Sequence, residues 1–463
     1  MARKQPINAE IPPSDATAKP ADGPPPAETE ATAPKTKAEP KRKPAEPAAP
    51  KPAKRSRKPV PAALKAVAGL VVVAVVFLLA AVLGGGDSNK DSGKPAPVSA
   101  PLPKASEEKQ TPTAAAAEEL GYPSFATNNT TRVGGSDPAS TAAGVALAVF
   151  PSATVAQRPA AVTIVDEGEW QGAIAAAALM APPLQAPLLV SSGGDLPDAT
   201  SQALEALDPQ GSKDTGGAQA FAIGDAPSPD GLKAMRVKGS SPAALAAALA
   251  SLREKLTGSP PQQIVLAPED EPGFAMPAAA WAARSGDPVL FSGAKKLPTP
   301  TLKALALHPK VPVYVLGPSS AISSEVVREA AKVDKKVRRV SGEDPVENAI
   351  ALARYSSGDF GWNINDPGHG FVIARSDSPL DAAVSAPLSA SGTWGPLLLS
   401  DDADTLPKAL REYLLDVKPG YTTDPTRAFY NHVWVIGDQE AIDVKQQAEI
   451  DQLAELARIG GEE

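Results

Sequence analysis

The chain of 463 residues contains no cysteine and only 3 histidines. Without thiols there is no disulfide framework, no zinc ribbon, no thiolate cluster and no cysteine nucleophile. His308, His369 and His432 are too scattered to suggest a histidine-based metal cage. No GxGxxG follows an apolar run and no GxxxxGK[ST] occurs, so phosphate cradles of the nucleotide-binding kind have no support. A G-x-S-x-G elbow is missing too, and with it the usual signature of serine hydrolysis. No metal, no cofactor and no nucleic-acid partner is expected, and no catalytic residue is assigned.

What the chain does have is unevenly spread. A net charge of −8 accompanies 51 prolines and 36 glycines, high for a globular chain. Residues 1–61 hold 15 prolines, 13 basic and 7 acidic residues, a charge of +6, so the remainder carries −14. With hardly any large apolar side chains, that segment cannot offset its ordering entropy and reads as a disordered basic tail. Ala66–Leu83 follows, eighteen residues without a charge and extendable to Ala62 if Lys65 snorkels. That length suits a transmembrane helix over 62–83. Lys51, Lys54, Arg55, Arg57, Lys58 and Lys65 precede it, whereas charges just beyond it balance; positive-inside then places the N-terminus in the cytoplasm and the rest outside. Gly, Ser, Pro and Ala dominate 84–126, which reads as a flexible linker.

The rest repeats itself three times. Arg132 opens RVGGSDPASTAAGVALA, Arg236 opens RVKGSSPAALAAALA and Arg339 opens RVSGEDPVENAIALA, at spacings of 104 and 103. Each unit continues with an apolar run (from Ala161, Ile264 and Phe371), a helix-length segment of small residues, a proline-led run (Pro187-Leu188-Leu189, Pro288-Val289-Leu290, Pro396-Leu397-Leu398) and a Leu-Pro pair (196–197, 297–298, 406–407). Each closes on an apolar run ending in glycine: Gly224, Gly317 and Gly437. Short continuous apolar runs separated by helix-length segments predict α/β units with parallel strands buried on both faces. The expected units are 127–231, 232–334 and 335–463, the third with insertions from Ser357 and Asp416.

These motifs, the RVxGxxP opening, the Leu380-Asp381-Ala382-Ala383 helix, the Pro-Leu-Leu strand, the Leu-Pro pair and the closing VWVIGD, resemble the cell-wall-binding repeat 2 family over about residues 130–460. The resemblance implies three Rossmann-like units packed about a pseudo-threefold axis, non-covalent binding to anionic glycopolymers of Gram-positive envelopes, and a polymer contact at the Pro-Leu-Leu strands. Departures are visible: the aspartate at position 381 is Gly172 in the first unit and Phe274 in the second.

Threefold packing would gather Arg132, Arg236 and Arg339, whose guanidiniums suit bidentate phosphate or carboxylate contacts; their plainer role is to pair locally at a strand start. Pro187, Leu188, Leu189, Pro288, Val289, Leu290, Pro396, Leu397 and Leu398 are polymer-contact candidates through the resemblance and core residues by pattern. Trp362 and Trp394 are candidates for stacking on sugar rings. Carboxylates at expected strand ends, Asp166, Glu167 and Glu169, Glu269, Asp270 and Glu271, and Asp377 beside Arg375, leave open a divalent-dependent envelope-processing enzyme. A protein-interaction scaffold of the envelope is the other alternative, because a membrane-anchored chain does not need the wall to hold it.

Overall fold

A computed structural model describes residues 125–333, 336–392 and 394–460. The tail expected over 1–61, the membrane helix over 62–83 and most of the linker over 84–126 lie outside the described residues. Among the described residues no helix is long and apolar enough to cross a membrane.

The chain folds into α/β units with parallel sheets. It begins with β1 (Phe125–Ala126) and β2 (Thr130–Val133), so the last two positions of the expected linker already form a short strand, antiparallel to β2. The first unit continues with α1 (Pro138–Val149), β3 (Val162–Asp166), α2 (Trp170–Ala176), β4 (Leu188–Ser191), α3 (Asp198–Leu207) and β5 (Ala220–Ile223). The second contains β6 (Ala234–Val237), α4 (Pro242–Thr257), β7 (Ile264–Pro268), α5 (Pro272–Ala275), α6 (Pro277–Ser285), β8 (Val289–Ser292), α7 (Thr299–Leu307), β9 (Val313–Leu316) and α8 (Ser324–Val333). The third contains β10 (Val337–Val340), α9 (Pro345–Arg354), β11 (Gly370–Arg375), α10 (Pro379–Val384), α11 (Ala386–Ala390), β12 (Leu397–Ser400), α12 (Lys408–Asp416), β13 (Gly420–Tyr421), β14 (His432–Ile436), α13 (Val444–Ala454) and β15 (Ala457–Arg458).

The opening motif explains its own geometry. Asp137, Ser241 and Asp344 stand before the prolines and cap α1, α4 and α9 by accepting from the backbone N–H of Ser140, Ala244 and Glu347. Proline then occupies the first helical position, where no N–H is needed. The Leu-Pro prolines sit at the N-cap of α3, α7 and α12, one residue ahead of the first turn. Three residues on, Thr200 and Thr301 donate to the carbonyls of Val190 and Phe291 at 2.6 Å each, tying helix to strand; Leu410 replaces that hydroxyl in the third unit.

Strand pairing crosses the repeat. The sheets run β4-β3-β5-β6, β8-β7-β9-β10 and β12-β11-β14-β2-β1, parallel apart from β1. Each four-strand core thus takes its last strand from the opening of the following repeat. In the third sheet β2, from the start of the first repeat, takes that place, with Arg132 opposite Val435. Residues just over 300 positions apart therefore pair in one sheet, and this closure joins the first repeat to the third.

Small residues bring the units together. α2 and its 3-10 extension Ala177–Met180, α5 and α6, and α10 and α11 pack against one another in all three pairings. Ala173–Ala178, Ala278–Ala280 and Ala382 are buried, and methyl side chains are what let several helix backbones approach so closely. The first insertion of the third unit adds a second contact. Phe360 stacks on Tyr314 with ring centroids 3.7 Å apart, and Trp281 meets both Phe360 at 4.9 Å and Trp362 at 5.6 Å. That insertion is a buried aromatic lock against the second unit.

Candidate functional site at the strand ends

In an open parallel sheet the carboxyl ends of the strands form a crevice of loops and helix N-termini, the usual place for ligands. All three units present such an edge, and the three opening arginines lie there on equivalent strands. Arg132, Arg236 and Arg339 pair in register with Val435, Ala222 and Val315, and each reaches over the closing glycine beyond that strand. Arg132 donates from Nε to Gln447 Oε1 (3.0 Å) and from its Nη atoms to the carbonyls of Gly437 (3.0 Å), Asp438 and Ile442 (2.6 Å). Arg236 donates to the carbonyls of Gly224 (3.3 Å) and Ala226 (2.7 Å) and to Ser228 Oγ (3.0 Å). Arg339 donates to the carbonyls of Gly317, Pro318 (2.9 Å) and Ile322 (2.6 Å).

One motif therefore does one thing three times: a guanidinium fork gathers the carbonyls of the loop leaving the closing strand. Gly437 turns that loop with φ of 90°, and a side chain at Gly134 would meet its backbone N at 2.7 Å. The arginines sit on three different sheets, and among the described residues no hydrogen bond links one to another. Arg132 is 2 % exposed, Arg339 half-buried and Arg236 exposed.

Pro187, Leu188, Leu189, Pro288, Val289, Leu290, Pro396, Leu397 and Leu398 are all buried. Their side chains fill the core, and what reaches the edge is the residue that follows. Ser191, Ser292 and Ser400 end the three strands, a recurrence found by extending the aligned Pro-Leu-Leu runs to the strand ends. Ser400 Oγ donates to the carbonyl of Asp402 (2.8 Å) and Ser292 Oγ to that of Gly293 (3.0 Å). Beyond them lie exposed polar turns: Gly193–Asp195, Lys295 and Lys296, and Asp401 and Asp402. Trp362 is 7 % exposed inside the aromatic lock, whereas Trp394 is 39 % exposed with the Arg284 guanidinium 4.1 Å above its ring.

Three of the seven strand-end carboxylates are engaged by hydrogen bonds. Asp166 accepts from Gly168 N (3.2 Å), Glu167 from Ser192 Oγ, and Asp377 from Arg375 Nε (3.2 Å) and Nη2 (2.8 Å). That fork holds the Asp377 carboxyl below its ordinary range and strengthens the charge on Arg375. Burial, helped by neighbouring Asp270, raises Glu269. Asp381 is perturbed most: burial first, then Asp377 and Asp438, push its carboxyl to about 7. Gly172 in the first unit and Phe274 in the second hold the equivalent place, and Phe274 lies against Gly317. The three crevices are thus alike in backbone and unlike in lining. Among the described residues no group of three or more histidine, aspartate or glutamate side chains is placed to hold a metal ion.

With that geometry the chain is similar to two solved structures. Cwp6 from Clostridium difficile superposes with a TM-score of 0.56 at 18 % identity, over 70 % of this chain and 47 % of that one. Cwp8 from Clostridium difficile gives 0.55 at 20 %, over 71 % and 52 %. The likeness is one of fold. This chain spans about half the length of either. No family model matches the sequence, and no curated protein matches it.

Away from the strand ends, a cavity of about 270 Å³ opens where α4 and α6 meet Pro182 and Pro183. His308 Nε2 lies 3.2 Å from Glu254, and Arg253 Nε donates to the Gly286 carbonyl (2.7 Å) while its buried Nη1 has no hydrogen-bond partner among the described residues. Asp287, raised by burial, accepts from Trp281 Nε1 (2.9 Å) and Gln263 N (3.1 Å).

Proposed function

We propose that the protein is a membrane-anchored component of a cell envelope, held by residues 62–83 with its N-terminus inside. Its three α/β units, arranged about a pseudo-threefold axis, bind an anionic wall glycopolymer without chemistry. The observation that carries this reading is the threefold recurrence of one strand-end architecture, on a fold shared with Cwp6 and Cwp8 from Clostridium difficile. The family resemblance of the repeat motifs points the same way.

In this reading the buried Pro-Leu-Leu strands and Arg132 shape the edge. The polymer meets the exposed Lys295 and Lys296 in the turn beyond Ser292, the exposed Arg236, and the Arg284 guanidinium that lies over the half-exposed Trp394. A residue balance of −14 beyond the tail means that no overall field draws in a polyanion. Contacts must therefore be local and salt-sensitive.

Residues 103–463, which include all three α/β units, should sediment with purified walls. Walls stripped of secondary polymer should release them, and Lys295→Ala with Lys296→Ala should weaken retention at low salt. Equal retention by stripped and intact walls overturns the proposal.

A further inference from the structure

We propose that the cavity where α4 and α6 meet Pro182 and Pro183 is a binding site for a phosphorylated sugar. This goes beyond the wall-binding reading and does not depend on it, because the site lies at the opposite end of the second sheet from the strand-end crevice.

The position follows from topology. β8, β7, β9 and β10 are parallel, so the segments that enter them share one end of the sheet. The helices preceding β7, β8 and β9 finish there: α4 at Gly258, α6 at Gly286 and α7 at His308. The cavity of about 270 Å³ lies among these ends. Ligand pockets start at about 300 Å³, so it has room for one sugar ring rather than for a chain of them.

Arg253, on α4, lines the cavity and supplies its anion-binding group. Its Nε donates to the Gly286 carbonyl at 2.7 Å and its Nη2 to the Pro182 carbonyl at 3.2 Å, whereas the buried Nη1 has no hydrogen-bond partner among the described residues. A Cβ at Gly286 would collide with the guanidinium, so a glycine there is what lets the fork lie as it does. The neighbouring Asp287 carboxylate is turned to other donors, Trp281 Nε1 (2.9 Å) and Gln263 N (3.1 Å). Burial works against the Arg253 charge, and Asp287 offsets only part of that. A buried charged donor without a partner is costly, so an anionic acceptor brought to it gains more than the same bond at the surface. Exposed Lys255, next to Glu254 of the lining, and exposed Lys310, two positions beyond His308, add positive charge.

The rest of the lining calls for hydroxyl donors. Helix C-termini present carbonyls of partial negative charge, which oppose a bare anion. Glu254 adds a carboxylate, 3.2 Å from His308 Nε2. Ligand hydroxyls satisfy such acceptors, while Pro182, Pro183 and Leu307 supply apolar surface for a ring face. An anionic acceptor, several hydroxyl donors and an apolar ring face on one small molecule describe a sugar phosphate. Inorganic phosphate lacks the ring, and a neutral sugar lacks the charge.

The test is calorimetric titration of the full chain in detergent micelles with glucose-1-phosphate, with glucose and inorganic phosphate as controls. Expected is saturable, single-site binding of glucose-1-phosphate, at least about tenfold tighter than of either control. Ala250→Phe fills the cavity from a half-buried position on α4, and Lys255→Glu with Lys310→Glu reverses the surface charge. Each should weaken binding about tenfold or more while the protein melts as the parent does. Absence of saturable binding, inorganic phosphate bound as tightly as glucose-1-phosphate, or binding unchanged in both variants overturns the site. Excess glucose-1-phosphate that also releases the chain from walls identifies the ligand as a phosphorylated sugar of the wall polymer; binding without release identifies a free sugar phosphate.

Discussion

Replacing Arg132 by alanine separates a framework arginine from a ligand-binding one. The buried guanidinium donates to three carbonyls and to Gln447, and its truncation strands four acceptors in a place that water does not reach. Hydrogen bonds from a charged donor contribute about 1.5–3 kcal/mol each, but they share one group and do not add. A buried acceptor left unpaired costs about 1–3 kcal/mol, so the four neutral acceptors together cost on the order of 4 kcal/mol after partial relaxation. For a unit of some 335 residues, with an unfolding entropy near 2.1 cal/mol/K per residue, about 4 kcal/mol lowers Tm by roughly 6 °C. Arg236 makes equivalent bonds at the surface, where water replaces them, so Arg236→Ala should cost under about 1 kcal/mol and shift Tm by about 1 °C. Arg339→Ala, half-buried, should fall between. Scanning calorimetry of residues 103–463 measures all three. Equal shifts for Arg132→Ala and Arg236→Ala would refute the reasoning, because burial would then not decide the cost. Wall retention lost in Arg236→Ala without a change in Tm would mark that guanidinium as a polymer contact.

Three further outcomes are expected. The Asp381 carboxyl is raised to about 7 in the folded chain against 3.8 unfolded, so the folded state holds its proton more tightly; stability from this group is full below about pH 4 and lost as pH rises to about 7. Asp381→Asn should therefore raise Tm at pH 8 by the equivalent of up to about 4 kcal/mol and leave it unchanged near pH 4, a difference that parallel melts at the two pH values detect. Trp362→Ala opens a cavity in the aromatic lock and should cost about 3–5 kcal/mol, whereas Trp394→Ala, at the exposed end, should cost about 1 kcal/mol or less; urea titrations compare them. Removing residues before Gly135 takes β2 from the third sheet and bares the edge of β14, so the shortened chain should self-associate in sedimentation velocity, and a stable monomer would contradict the closure.

Much of the fold was legible because it is local and threefold. The cap-proline openings, the buried four-residue strands and the Leu-Pro helix starts depend on neighbours in sequence, and each was stated three times over. The candidate site was less legible. Arg132, Arg236 and Arg339 occupy equivalent strand positions, yet identical letters there range from buried to exposed, since burial depends on what packs over the loop. α13 covers Arg132 through Gln447, while among the described residues no helix lies between β5 and β6 to cover Arg236. Trp362 and Trp394 look alike in sequence, but the first is buried against Trp281, while the second stacks on Trp362 at 6.2 Å and carries the Arg284 guanidinium over its ring at the surface. Ser191, Ser292 and Ser400 were passed over because a strand-final serine is chemically plain until an edge surrounds it.

By itself, then, the sequence determined the α/β class, the three repeats and the absence of thiol chemistry, because these follow from residue identity and short-range pattern. Tertiary structure decided that the strands pair across repeats, that β2 closes the third sheet, and that the Pro-Leu-Leu runs face inward while the turns beyond them face out. Strand pairing and burial are set by contacts between residues far apart along the chain, and a strand's letters do not name the partner across which its hydrogen bonds will run.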